Sequence, residues 1–483
     1  MRFRFLHNNG ISQTVRGGDV SVRKVSLLVS TGNLGDNIIE EGSFYEGVKR
    51  DIDFFGADAG TADAGPTFLG ADMPHNPYEW ERHDLEIMLV ESRKKKVPMI
   101  VGSCSTTGTD RGVNLYADII RTVAKERKME PFTMALIYSQ IPMDTLRSRV
   151  RSGGTEVLGA AFPLTDEVLD NTTNVTASMG IEQIVHALAK GADVIIAGRS
   201  CDDTLLAAYP VFKGFDRGVS LHMGKAAECA SLVCWPQKVK ESIIGTVYDD
   251  CFTIEPMHPD QQATPHSVAA HSMYERTNPF VQALPGGILD MHASVYEAQT
   301  DRICRVTGSL FVPSPDGSYK VKLEGAGEAG HRVYHLVGVR DTRAIAHMDQ
   351  ILADTRKKVS QIIGAHRDGL YELLFHVYGA NAVMQEIEPV KQTLSHEVAV
   401  VIEVISKDVE LATSVAKCAK FRFFYMSYPG QMNSSGGSVA LLTDEPLFPK
   451  NKAYRWTVDH LLTLSDPLDP EIFRYTFETV SGT

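Results

Sequence analysis

The sequence predicts an α/β protein, with a mainly parallel sheet in an N-terminal domain over residues 1–240 and a C-terminal α+β domain over residues 241–483. Three observations predict it. The chain has 483 residues, and a single hydrophobic core stops growing near roughly 250–300 residues, so a chain of this length divides. In the first half short apolar runs alternate with helical spacing, the rhythm of βαβ units. In the second half the rhythm changes to alternating segments such as residues 318–323 and 332–339, with helices near 344–363 and 408–421. Hydrophobic residues make up 43% of the chain and charged residues 22%, a balance that suits packed cores and excludes a disordered chain.

Residues 25–30 form the first strand and run into Thr31-Gly32-Asn33-Leu34-Gly35-Asp36-Asn37, after which helical spacing passes through Tyr45, Val48 and Lys49. Residues 52–55 form the second strand. Its loop runs from Gly56 to Pro66, where three glycines and a closing proline disfavour regular structure. Residues 97–101 form the third strand and end in Gly102-Ser103-Cys104-Ser105-Thr106-Thr107-Gly108-Thr109-Asp110. Ile181, Ile184, Val185 and Leu188 then recur at helical spacing, and Gly191 closes that helix. The all-apolar run 194–197 reads as a strand buried on both faces and delivers Gly198-Arg199-Ser200-Cys201-Asp202-Asp203.

Four strands therefore each end in a loop rich in Gly, Ser, Thr or Asp. In an open parallel sheet the ligand sits outside the carboxyl ends of the strands, where helix N-termini offer unpaired N–H groups and positive dipole ends. The first two loops nominate Gly32, Asn33, Gly35, Gly60 and Thr61 as substrate-binding residues. The other two add Ser103, Thr106, Ser200 and Asp202. The plain alternative is that such loops need glycines and capping residues merely to turn.

Asp36, Asp58 and Asp63 are candidates for acid/base work, because a crowded or desolvated carboxylate has its pKa raised toward neutrality. Asp36 and Asp63 are taken as the catalytic pair, although each equally suits a helix N-cap. Arg199 follows a buried strand, and its planar fork can clamp a carboxylate or pair structurally with Asp202 or Asp203. Lys225 and Glu228 share a helix face, either as part of the site or as a surface salt bridge. Lys322 and Glu324 alternate onto one face of a strand and reach the site together or form a solvent-facing pair. Ser435 and Gly436 belong to a Gly/Ser stretch that makes an anion-binding nest or a turn.

The formal charge of -12 and pI near 5.7 repel phosphate backbones, which excludes a nucleic-acid binder. The basic run 93–96 reads as the solvated end of a helix. Residues 1–9 have no apolar h-region, and no run approaches the ~18 apolar residues a membrane helix requires, which predicts a cytoplasmic protein without a membrane partner. Seven cysteines, with no CxxC spacing, argue against a disulfide framework and a zinc ribbon. Sixteen histidines include no HExxH. His331 and His335 fall in a strand-like segment, and His258, His266 and His271 crowd a loop-rich stretch; no metal ligand is assigned and no cofactor is specified. Residues 325–330 match G-x-G-x-x-G, yet a strand pattern follows where a dinucleotide fingerprint must open a helix.

Several segments together resemble the acyclic terpene utilisation (AtuA) family: Gly60-Thr61-Ala62-Asp63-Ala64-Gly65-Pro66, Gly191-Ala192-Asp193 with Gly198-Arg199-Ser200, the stretch from His222 to Glu228, Pro285-Gly286-Gly287, Val321-Lys322-Leu323-Glu324-Gly325 and Tyr428-Pro429-Gly430. The resemblance runs in order from about residue 25 to about residue 465 and implies an organic-acid or acyl-thioester context. The resulting expectation is a catabolic lyase or isomerase acting on a small anionic substrate, CoA esters included, by proton abstraction next to a carboxylate or thioester. Asp36 or Asp63 moves the proton, while Arg199, Lys322 and loop N–H groups stabilise the enolate-like charge. The alternatives are a hydratase or hydrolase with Ser103 or Cys104 as nucleophile, and a non-catalytic acyl-CoA-binding subunit. A homo-oligomer is expected for an enzyme of this size.

Overall fold

Alternating side chains of short β-rich runs create the two cores of the larger sheet. The computed structural model describes residues 23–159, 161–390, 395–432 and 439–482. In β1 (Lys24–Val29), Leu27 and Val29 face one core and Leu28 the other, and all three are fully buried. Period-two alternation buries both faces because helices cover both. The chain continues through α1 (Glu41–Val48), β2 (Phe54–Gly60), α2 (Pro66–Ala71), α3 (Tyr78–Lys95), β3 (Met99–Thr106), α4 (Asp110–Glu126) and β4 (Phe132–Tyr138). Lys96 follows α3 in the left-handed conformation, with Arg93, Lys94 and Lys95 in the helix's last turn as the basic run predicts. The Thr109 hydroxyl accepts from the Gly112 N–H at 3.3 Å and so starts α4.

Next come α5 (Met143–Arg151), β5 (Thr155–Val157), α6 (Asp166–Asp170), β6 (Asn174–Ala177), α7 (Ile181–Ala189) and β7 (Val194–Ala197). The helix read from Ile181, Ile184 and Leu188 is α7, with those three side chains buried, and every residue of β7 is buried. Then follow α8 (Asp202–Phe212), α9 (Arg217–Ala227), β8 (Ile243–Tyr248) and β9 (Cys251–Pro256).

The ten-stranded sheet runs in the order Val295–Ala298, Cys304–Thr307, β9, β8, β1, β2, β3, β7, β4, Arg474–Val480. Strands β1, β2, β3, β7 and β4 are parallel neighbours. The flanking strands are all antiparallel, β8 against β1 and Arg474–Val480 against β4. The sheet is thus mixed, parallel only at its centre, where a mainly parallel one was expected. The edges of the parallel block present unpaired N–H and C=O groups, and later strands of the chain satisfy them.

The chain forms two compact units. The first holds the described residues up to Ala326 and those from Trp456 onward, and the second is Gly327–Arg455. Residues 241–326, expected in the C-terminal domain, therefore belong to the first unit. In the second unit the later part of the strand Tyr319–Val339 pairs antiparallel with Val398–Ser406, which pairs with Tyr371–Tyr378. Helices Met348–Ile363 and Val409–Phe424 contribute Ile351, Val359, Val415 and Phe423 to its own core. The G-x-G-x-x-G letters lie inside the strand Tyr319–Val339 and open no helix. Among the described residues, no helix is long and apolar enough to cross a membrane.

Candidate functional site

The carboxyl ends of the parallel strands share one edge of the sheet, and the loops leaving them are stitched together by main-chain hydrogen bonds. Leu34 N–H donates to Asp58 O at 2.7 Å, Ser103 N–H to Gly198 O at 2.9 Å, and Met179 N–H to Arg199 O at 3.0 Å. Residues 31–37, 58–66 and 198–203 thus meet at this edge. Glycine makes the approach possible: a Cβ on Gly60 would lie 2.2 Å from Arg199 Nη1, and one on Gly108, at φ +66°, would lie 2.1 Å from the Arg199 main-chain nitrogen. Strands β2 and β3 run further than the sequence suggests, so Asp58 and Ser103 lie on strands rather than in loops. At the end of β3, Ser103, Ser105 and Thr106 all have left-handed φ of 51°, 52° and 74°. Such backbone is costly, and it concentrates where surrounding structure holds a functional geometry.

The strand Tyr319–Val339 reaches the same edge through its pairing with β6, where Glu324 stands opposite Thr176. Arg199 grips Glu324 there, with Nε to Oε2 at 2.8 Å and Nη2 to Oε1 at 3.5 Å. Both residues are buried. Arg199 therefore pairs with neither neighbouring aspartate. Lys322, whose side chain is 41% exposed, adds its Nζ to Glu324 Oε1 at 3.0 Å, so this pair does not face solvent as a whole. Burial pushes the Glu324 carboxyl up, but Arg199 and Lys322 outweigh it and hold the group at about 2. Arg199 Nη1, the prong that Glu324 leaves, is buried with no partner among the described residues.

Asp58 lies beside this pair. Its Oδ2 accepts from the Gly60 N–H at 2.9 Å, while Oδ1 is buried without a partner among the described residues. Burial, then repulsion from Asp202, raises its carboxyl well above the usual range against the pull of Arg199. Burial also raises Asp202, with Arg199 and Lys225 opposing. Two carboxyls that each disfavour the other's ionisation titrate as a unit and tend to share a proton. Thr106 Oγ1 at the end of β3 and Asp203 Oδ2 at the start of α8 are further buried polar atoms without a partner among the described residues. Native interiors pair such atoms, so a group of them marks room for a polar occupant.

The family described as acyclic terpene utilisation family protein AtuA matches residues 25–443. The chain belongs to the acyclic terpene utilisation family. No curated protein and no solved structure matches it. In this AtuA-family chain, the 60–66, 198–200 and 321–325 segments that carry the resemblance all contribute to the Arg199–Glu324 surroundings described above.

Other expected residues are placed differently. Asp36 and Asp63 are exposed, Asp36 accepting from Asn33 Nδ2 at 3.1 Å and the Asp63 N–H donating to Thr61 Oγ1 at 3.1 Å. A Cβ on Gly32 would lie 2.6 Å from the Cys229 backbone, and the Gly35 N–H donates to Asp84 at 3.1 Å. Ser103 and Ser200 are buried, and the Ser200 N–H donates to Ser103 Oγ at 3.2 Å. Lys225 pairs with Glu228 as their spacing allows, but both side chains are only 6% exposed, so it is no surface salt bridge. Ser435 and Gly436 lie outside the described residues. Cys104 is fully buried and its thiol is pushed well up by burial, which removes the thiolate a nucleophile requires.

Sequence reasoning passed over several residues that hold the site. Asp84 also takes the Ile39 N–H at 2.9 Å, and Lys240 donates to the carbonyls of Gly32 and Asn33 at 3.2 and 2.5 Å. Glu81 on α3 is fully buried, receives the Tyr116 hydroxyl at 3.3 Å, and is pushed up to about 7 by burial. Glu81 lies four residues before Leu85 and Asp84 four before Met88 on the buried face of α3, a signal of burial that the sequence carried. A cavity of about 1280 Å³ in the second unit, lined in part by Met348, Val377 and Asn381, contains none of the residues expected from the sequence.

Proposed function

We propose that this AtuA-family protein is an enzyme of acyclic-terpene utilisation that moves a proton next to the carboxylate or thioester of a small acid, as a lyase or isomerase does. The observation that carries the reading is two buried atoms without a partner among the described residues, Arg199 Nη1 and Asp58 Oδ1, on groups close enough to shift each other's titration. The free prong of Arg199 receives the anionic or carbonyl oxygen of the substrate and stabilises the charge that grows on it. The Asp58–Asp202 pair, holding one proton between them, takes the proton from the adjacent carbon on its ionised member and returns one from its protonated member. Lys322 supplies a second positive charge at the more open side. Glu324 holds Arg199 and Lys322 in place and stays ionised throughout. Among the expected acids, the buried Asp58 takes the role from Asp36 and Asp63, because solvent-exposed carboxylates lack the desolvation that makes a strong base near neutrality.

The test is deuterium incorporation from D₂O into a panel of short branched carboxylic acids and their CoA thioesters, read by mass spectrometry, with binding followed by thermal shift. At least one compound should exchange, and Asp58→Asn should lower that exchange by about 10²-fold or more while binding persists. Asp36→Asn and Asp63→Asn should leave it unchanged. Compounds that bind but never exchange would turn the reading toward a binding subunit. Full exchange in Asp58→Asn would remove that carboxyl from the chemistry.

A further inference from the structure

Glu228, Cys229 and His271 bring a carboxylate oxygen, a thiol sulfur and an imidazole nitrogen within 4.8 Å of one another. Glu228 caps the C-terminus of α9, Cys229 follows it, and His271 comes from the helix Pro265–Met273. The set is held from both sides. The His271 ring stacks on Tyr274 at 4.7 Å, and Cys229 Sγ lies 3.2 Å from the Tyr274 hydroxyl. His271 Nε2 is buried and has no partner among the described residues.

We infer that these three residues form a binding site for a divalent cation of the zinc class, a site beyond the proton-transfer reading above and independent of it. One thiolate, one imidazole and one carboxylate are a ligand set that zinc accepts, and three protein ligands leave a fourth position for water or another oxygen. Tetrahedral bonds of about 2.0–2.3 Å hold ligand atoms roughly 3.5 Å apart, so side-chain rotations of about 1 Å close the set. Lys225 and Arg276 face the cluster as cations, and Asp202, Asp203 and Glu228 as carboxylates. Cys229 as thiolate and Glu228 as carboxylate together balance the two charges of the ion. Asp203, 1% exposed, also has an Oδ2 without a partner among the described residues. The Lys225 ammonium contacts Glu228 Oε1 and lies 4.3 Å above the Tyr274 ring, so it competes with the metal for one carboxylate oxygen.

The full-length protein, stripped with a chelator and titrated with Co²⁺, tests the site by absorbance. Thiolate-to-cobalt charge transfer in the near ultraviolet and tetrahedral d–d bands in the visible are expected, both bleached by stoichiometric Zn²⁺. Cys229→Ser should abolish the charge-transfer band, and His271→Gln should weaken cobalt binding at least about tenfold. Cys201→Ser should retain the band. Lys225→Gln removes the competing ammonium and should tighten binding, an outcome that misfolding cannot imitate. No charge-transfer band in the parent protein, a band that survives Cys229→Ser, or weaker binding in Lys225→Gln would each overturn the assignment.

Discussion

Replacing Glu324 with glutamine keeps the shape of the side chain and removes the charge that Arg199 and Lys322 share. The carboxyl is held at about 2 against its ordinary 4.5, and a shift of that size at about 1.4 kcal/mol per unit amounts to roughly 3 kcal/mol of stability. A second route gives a similar figure, since removing one partner of a buried pair costs about 3–5 kcal/mol. The lower end applies because Asp58 and Asp202 also attract Arg199, and Asp459 lies 3.7 Å from Lys322. Glu324→Gln should therefore destabilise the first unit by about 3 kcal/mol at pH 7. The folded pKa lies below the unfolded one, so this contribution is complete above about pH 4.5 and is lost as pH falls toward 2. Parent and variant should converge over that interval. Trp80, Trp235 and Trp456, the chain's 3 tryptophans, all belong to the first unit. Urea unfolding followed by tryptophan fluorescence thus reports on the unit that holds the pair. With Arg199→Met and the double variant Arg199→Met/Glu324→Gln, the cycle should show coupling of about 2 kcal/mol or more. Coupling below about 0.5 kcal/mol, the level of an exposed pair, would refute the claim that this ion pair organises the site.

Glycine positions at the strand ends should separate by what surrounds them. Gly108→Ala combines φ +66° with a Cβ 2.1 Å from the Arg199 main chain and should cost several times the ~1 kcal/mol of Gly65→Ala, where φ is +79° but nothing lies within 4 Å; equal urea midpoints for the two would contradict the packing described at Arg199. His222, fully buried among the hydroxyls of Ser309, Ser272 and Tyr296, is pushed down to about 3 by burial. The unfolded chain takes up this proton near pH 6.5 and the folded chain only near 3, so stability should fall through that window by about 1.4 kcal/mol per pH unit. His222→Gln should flatten the pH dependence of the urea midpoint by about one proton, and an unchanged slope would show that His222 does not carry it.

The ends of the site were legible to different degrees. Strand β7 and helix α7 could be read directly, because four consecutive apolar residues and an i, i+3, i+7 stripe depend only on local order. The convergence of residues 31–37, 58–66 and 198–203 followed from a general property of parallel sheets, that all strands point their carboxyl ends one way. Asp58 was named among three candidate acids but could not be ranked above Asp36 and Asp63, since each aspartate sits in a similar glycine-rich setting and only burial distinguishes them. Nor could the extension of β3 to Thr106 be foreseen, because Ser and Thr at left-handed φ contradict their own preferences and hold only where neighbours enforce it.

Local order in the sequence alone determined the class of the fold, the helices with a clear stripe, the strand-end loops and the family to which the chain belongs. Tertiary structure decided which charges meet. Arg199 finds Glu324 across 125 residues, and the strands at 243–256 and 474–480 close the two sides of the parallel block rather than building a sheet of their own. Spacing cannot encode such partners, because desolvation and ion pairing depend on which distant segments exclude water from one another, and that is known only once the chain has folded.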